Sequence, residues 1–255
     1  MDRDMTLGII GVGHLAVAVI EGLIASGMAP GDILLAPRGK GPAMADRFGV
    51  RLAADNAAVV AESGIVLLAV RPGAAADAVA DLGWRPGQRL VSACAGVPIE
   101  ALQRAAPEAE VVRVMPLTAA SIGASPTLVF PADPDVVALL ERVGSPVPLR
   151  REDDFEVATV HAAVYGWAQA LIATGAKWSA AQGLDEATAR RLAARTFVAA
   201  GRMIAEQPAP MDDLIAALAT PGGITEAGLR SLERSGVPAG WEEACDVVLG
   251  RLKGS

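Results

Sequence analysis

Two stretches carry residue types spaced for chemistry. Residues 11–16 read G-V-G-H-L-A, a G-x-G-x-x-A pattern. Gly11 and Gly13 permit a tight turn and a close approach of backbone to a ligand, and Ala16 is a third small residue for helix–strand packing. Leu7, Ile9 and Ile10 precede it as a short buried strand. From Leu15 an apolar run (Ala16, Val17, Val19, Ile20, Leu23, Ile24) follows with helical period, closed by Gly27. A helix begun there aims its free N–H groups at an anion. Strand, glycine turn and helix in that order predict a dinucleotide phosphate site. The second stretch is Pro37-Arg38-Gly39-Lys40-Gly41, at the end of an expected strand over 32–36. In a dinucleotide fold this strand end meets the adenosine ribose, where an acid would accept from the 2′-OH. Here Arg38 and Lys40 offer donors suited to a 2′-phosphate, so the spacing predicts NADP(H).

The elements that must position these residues follow in order. A helix is expected over 42–48, then 50–52 leading to Asp55-Asn56. The run at 64–70 (GIVLLAV) reads as a buried parallel strand ending at Arg71-Pro72. Further strands are expected at 89–93, 110–115 and 127–130, with helices at 98–105 and 134–143. Strands alternating with helices imply an α/β doubly wound parallel sheet, a Rossmann domain over 1–150. Beyond it, Ala-rich helical periodicity takes over. Helices are expected at 153–177, at 185–206 with Asp185 as cap, and at 210–219, 225–235 and 240–252. They form an all-helical domain over 151–255. So few apolar helical residues cannot cover all their faces alone, which predicts a homodimer packed through them.

The 255 residues carry a net charge of −7, against a nucleic-acid binder, which should show a basic face. Cys94 and Cys245 give no disulfide framework, and two distant histidines give no metal site. The acidic MDRDMT start leads into the first strand, so no signal peptide is expected and the cytoplasm is the default. Residues 157–176 carry no charge, yet His161, Tyr165, Gln169 and Thr174 are too polar for a membrane span. The expectation is a helix buried on all sides, in a core or a subunit interface.

In order along the chain, IIGVGHLAVAVIEGL, the Arg38 turn, Asp55-Asn56, LLAVRP, SACAGV, VRVMPLT and TPGGITEAGL resemble the anchors of the pyrroline-5-carboxylate reductase family. The resemblance covers nearly the whole chain. It implies a Rossmann domain, a C-terminal helical dimerisation domain, and NADPH-dependent reduction of 1-pyrroline-5-carboxylate to proline or of a related cyclic imino acid. Carried over, Gly11, Gly13, His14 and Leu15 would sit on the pyrophosphate turn. Arg38 would hold the 2′-phosphate, and Asn56 would contact a ribose. Ala69, Val70, Arg71 and Pro72 would flank the nicotinamide half, with Ala95 and Gly96 close by. Thr220, Gly222, Gly223 and Thr225 match the turn that binds the substrate carboxylate and ring nitrogen. Converging N–H groups and a hydroxyl suit that task.

The chain departs from the family at the substrate end, which marks it as a divergent member. The asparagine of MPNT is Leu117 and the following proline is Ala119. The family's SGSGPAY segment reads AAVYGWA over 162–168, without serine and with two added aromatics. His161 and Tyr165 stand at i, i+4 on that altered helix. Tyr165, the only tyrosine, reads either as a replacement proton donor or as a core aromatic. Cys94 reads as a small buried residue. Two other readings stand beside the reductase: an NADP-binding protein without turnover, and a β-hydroxyacid dehydrogenase relative. The latter family wants a lysine one turn after a glycine, where Ala170 follows Gly166.

Overall fold

The computed structural model describes residues 6–254; the first five residues of the acidic start, and Ser255, lie outside them. Two compact units form, one running to Ala162 and taking in the chain from Arg251, the other Ala163–Gly250. The first is built as β1 (Leu7–Ile10), α1 (His14–Ala25), β2 (Ile33–Leu35), α2 (Gly41–Phe48), β3 (Arg51–Leu52), α3 (Asn56–Glu62), β4 (Ile65–Leu68), α4 (Ala75–Val79), β5 (Arg89–Ser92), α5 (Ile99–Ala105), β6 (Glu110–Met115), β7 (Ser125–Phe130), α6 (Pro134–Glu141) and β8 (Gly144–Pro148). A single sheet runs β3-β2-β1-β4-β5-β6-β7-β8. Every pairing is parallel except β6 with β7.

Strand side chains alternate between faces, and two cores result. Leu7, Ile9, Leu35, Leu67, Val91 and Val112 pack with Val19, Ile20 and Leu23 of α1 and Val136 and Leu140 of α6. Ile10, Leu34, Val66, Leu68, Leu90 and Val111 pack on the other face with Val59 and Val60 of α3, Val79 of α4 and Leu102 of α5. Helices on both faces of one sheet make the expected doubly wound architecture. Truncating a fully buried leucine such as Leu23 in a core of this kind costs about 2–5 kcal/mol.

Three elements lay outside the sequence expectations. The short α3 and α4 are alanine-rich and show little apolar period. The strand β8 contains Pro146 and Pro148, which read against a strand but are tolerated where β8 ends the sheet. The expected strand at 64–70 is regular only over β4, because its partners β1 and β5 themselves end at Ile10 and Ser92.

The chain continues as α7 (Phe155–Ala181), α8 (Glu186–Glu206), α9 (Met211–Leu218), α10 (Ile224–Arg234) and α11 (Val237–Leu252). Asp185 caps α8 by accepting the Thr188 N–H at 3.0 Å. Trp167 and Trp241 meet edge to face, ring centroids 5.5 Å apart. The expectation of a helix buried on all sides is corrected within one chain: only Phe155, Thr159 and Val160 of α7 are buried, and Trp178 is 65% exposed. The apolar residues of this helix are left for another surface to cover. Among the described residues, no helix is long and apolar enough to cross a membrane.

Candidate functional site

The strands β2, β1, β4 and β5 are adjacent and parallel, so their carboxyl ends share one edge of the sheet. Arg38 follows β2, Gly11 and Gly13 follow β1, Ala69 to Pro72 follow β4, and Ala95 and Gly96 follow β5. The chain order reverses between β1 and β4, which is where open α/β sheets bind ligands.

Gly11 holds φ +91°, and a Cβ there would lie 2.7 Å from the Ala69 carbonyl, so glycine is required. Gly13 is the N-cap of α1 with no side-chain cap, and nothing lies within 4 Å of where its Cβ would point. The first-turn N–H groups of α1, from His14 and Leu15 onward, have no acceptor within the helix. No acid sits in that first turn to offset the dipole. The turn is therefore an open, positively polarised cradle, and it fits a pyrophosphate.

The Arg38 turn is bonded to that cradle. Val12 and Gly39 form a β-bridge, and Lys40 donates its N–H to the Val12 carbonyl at 2.9 Å. Gly39, at φ +72°, has Val12 O 2.7 Å from its absent Cβ. Arg38 is exposed and lines a depression of about 400 Å³ with Pro37, Asp55, Asn56 and Leu82. Asn56 Nδ2 donates to the Ala78 carbonyl at 3.2 Å, which fixes its amide and leaves Oδ1 as an acceptor. The Asp55 carboxylate is engaged by the Ala58 N–H at 2.8 Å as the cap of α3. The cation and amide singled out in the sequence thus share one surface.

At the β4 exit, Ala69 donates to the Ile10 carbonyl at 2.8 Å, tying this strand end to the glycine turn. Arg71 and Pro72 are exposed, as is Gly96. Between the two exits, Cys94 is buried with its Sγ 3.4 Å from the Val70 carbonyl. Burial pushes its thiol pKa up, against smaller lowering by Ser92 and Val70. Cys94 ties the β5 exit to the β4 exit, and its burial disfavours the thiolate that a nucleophile needs.

An arginine cluster that the sequence reading passed over lies on β6. Arg113 is buried, with Nη1 3.1 Å from Glu152 and Nη2 2.6 Å from Glu156, and its guanidinium stacks 4.1 Å over Phe155. Glu152 also accepts the Ile99 N–H at 2.7 Å. The cluster ties β6 and α5 to the start of α7. Its sequence signal was a lone cation inside the apolar run EVVRVM.

In the helical unit, the TPGGIT turn leads into α10. Gly223 is the N-cap and donates to the Thr220 carbonyl at 2.9 Å. Glu226 accepts the Gly222 N–H at 2.7 Å and is paired with Arg230. Thr220, Gly222 and Thr225 are exposed, and Thr225 stands in the first turn of α10. With the Gly222 and Gly223 N–H groups engaged, what the turn presents is the first-turn N–H groups of α10, which have no acceptor within the helix, and the exposed Thr225. Tyr165 is half-buried and His161 exposed on α7. No cluster of three or more His, Cys, Asp or Glu side chains able to hold a metal occurs among the described residues.

Comparison with known proteins places both halves. Residues 152–254 match the family model described as pyrroline-5-carboxylate reductase dimerisation, and residues 6–96 match the one described as NADP oxidoreductase coenzyme F420-dependent. A pyrroline-5-carboxylate reductase of Methanosarcina acetivorans is 30% identical over 95% of this chain and 94% of its own. The solved 1-pyrroline-5-carboxylate reductase of Streptococcus pyogenes superposes with a TM-score of 0.86 at 25% identity, covering 98% of this chain and 99% of its own. The Plasmodium falciparum pyrroline carboxylate reductase, solved with NADP bound, shares the fold at a TM-score of 0.87 and 20% identity, over 99% and 98% of the two chains.

Proposed function

The chain belongs to the pyrroline-5-carboxylate reductase family, and on that premise we propose how its residues reduce 1-pyrroline-5-carboxylate to proline. It is an NADP-dependent oxidoreductase acting on a C=N bond. The observation that carries the assignment of its cofactor residues is the bonded pair of turns, Val12 to Gly39 and Lys40, at the reversal of strand order. The open glycine turn fits a pyrophosphate, and the Arg38 depression fits a ribose with a 2′-phosphate.

When bound, NADPH supplies a hydride to the imine carbon. Gly11, Gly13, His14 and Leu15 hold the pyrophosphate. Arg38 holds the 2′-phosphate and Asn56 the ribose. Ala69, Val70, Arg71 and Pro72, with Ala95 and Gly96, flank the nicotinamide half. Thr220, Gly222 and Gly223 shape the turn that binds the substrate carboxylate, where first-turn N–H groups of α10 complement its charge. Thr225 hydrogen-bonds the ring nitrogen, and Tyr165 is the proton donor. A protonated iminium is already an electrophile, so orientation and exclusion of water carry most of the task.

The chain works as a homo-oligomer on a small molecule. We assign the contact to the apolar helical faces as a homodimer, supported by exposed Leu192, Leu218 and Ile224. The acidic chain has no use for nucleic acid. Cys94 and Cys245 are unpaired thiols, which suits the cytoplasm. The β-hydroxyacid dehydrogenase chemistry lacks its lysine at Ala170. The deciding assay is NADPH oxidation with 1-pyrroline-5-carboxylate, with proline identified as product. Tight NADPH binding without oxidation of any cyclic imine would overturn the enzyme reading in favour of a binding protein.

A further inference from the structure

A half-open cavity of about 250 Å³ lies in the N-terminal unit at the end of β6. Its floor is a row across three strands: Met115 pairs with Leu128, and Leu128 with Val147. Such directly opposed residues point to the same face of a sheet. Leu117 and Pro126 close one side. The opening turns of α7 close the other, with Ala158 and Ala162 at i, i+4. His161 is the one polar side chain lining it, and its exposure places it at the mouth. Because β6 runs parallel to β5, Leu117 lies beyond the same carboxyl edge as Ala95 and Gly96.

Two independent departures from the family pattern meet in this cavity. Leu117 stands where the family has asparagine, and Ala162 stands at the serine that opens SGSGPAY. Each replaces a hydrogen-bonding side chain by hydrocarbon on a different wall. Neither change is demanded by the fold. Both residues are only half-buried, and the Leu117 N–H is held by Ser125 Oγ at 2.9 Å whatever side chain the residue carries. A dry apolar void of about 150 Å³ is enough to hold benzene, so this space accepts a ring-sized group.

We infer that this cavity receives a hydrocarbon substituent of the substrate, so that the chain reduces cyclic imines bearing an alkyl or aryl group, with Leu117 and Ala162 as specificity-determining residues. The inference rests on the imine-reductase reading for the identity of the reacting ring. Water released from the apolar walls favours the substituted imine, while a carboxylated imine gains nothing there. Differences of this type are worth about 10–200-fold in kcat/KM.

The test compares 2-phenyl-1-pyrroline with 1-pyrroline-5-carboxylate in the wild type, Leu117→Asn and Ala162→Ser. NADPH affinity is measured on the same proteins by fluorescence. The expected result is a fall of about tenfold in the phenyl-to-carboxylate ratio of kcat/KM in Leu117→Asn, a smaller fall in Ala162→Ser, and unchanged NADPH affinity. A ratio that does not move in either variant overturns the inference and leaves the reductase reading standing. Binding of 2-phenylpyrrolidine and of proline to the NADP-loaded protein decides the matter independently of turnover. Preference for the phenyl compound, lost in the cavity-filling Ala158→Phe, upholds the cavity as the seat of the hydrocarbon substituent; if neither imine is then reduced, it is the reductase reading that falls. Equal binding of the two amines by the wild type overturns the inference.

Discussion

The N-terminal unit builds two sealed apolar cores of its own, whereas the helical unit, among its described residues, builds none. Every strand of the first contributes to the sheet, and Leu7, Ile9, Leu23 and Leu68 are sealed within two cores. Among the described residues of the second, Ala189 alone is buried, while Ile224 is 95% and Leu218 71% exposed. Apolar burial is the dominant favourable contribution to folding. The first unit therefore draws its stability from within. The second leaves its apolar residues for association to cover, so anything that weakens association is expected to lower its stability.

That contrast gives an order of expected effects. The largest belongs to the helical unit. Leu192→Asp places a carboxylate on an exposed apolar face of α8, and in a two-fold assembly each copy contributes one, so association weakens by about 4 kcal/mol. Sedimentation should show the loss, with the N-terminal unit still folded. Next is Arg113→Ala, which leaves Glu152 and Glu156 without their cation and destabilises the N-terminal unit by about 3 kcal/mol in denaturant unfolding. An oligomer unmoved by the first, or a stability unmoved by the second, would break the contrast.

Smaller effects sharpen it within the cofactor half. Gly11→Ala forces a left-handed backbone and a collision with the Ala69 carbonyl, costing about 2 kcal/mol of NADPH affinity by titration. Arg38→Ala removes a charged donor and costs about 1.5 kcal/mol for NADPH with little change for NADH. The smallest effect is at Cys94. Its thiol pKa is raised in the folded state, so the unfolded chain loses the proton first as pH rises. Stability from this group is complete below the unfolded thiol pKa of about 8.5 and declines above it. Cys94→Ala should flatten that alkaline decline in thermal melts.

How much of this was legible in the sequence follows the same division. The strand 110–115 and the helix capped by Asp185 stood out because period and cap agree locally. The Arg38 and Asn56 depression could be anticipated, since both residues follow strand ends. Three features could not. The direction of β7 is a matter of tertiary pairing with β6. The prolines of β8 argue against a strand until its place at the end of the sheet is known. The cavity at Leu117 needs β6, β7, β8 and α7 together, residues far apart along the chain.

The bridge between Val12 and Gly39 bears on how such a protein could be re-engineered or could drift. The loop after β2 and the glycine loop after β1, to which we assign the two ends of the cofactor, are not separable cassettes. Grafting a different loop after β2 to alter nicotinamide cofactor choice must bring a glycine at 39 and an unblocked N–H at 40, whatever it does at 38. A proline at 40 would retain Arg38 and still unseat the glycine turn, so selection at one loop is felt by its neighbour.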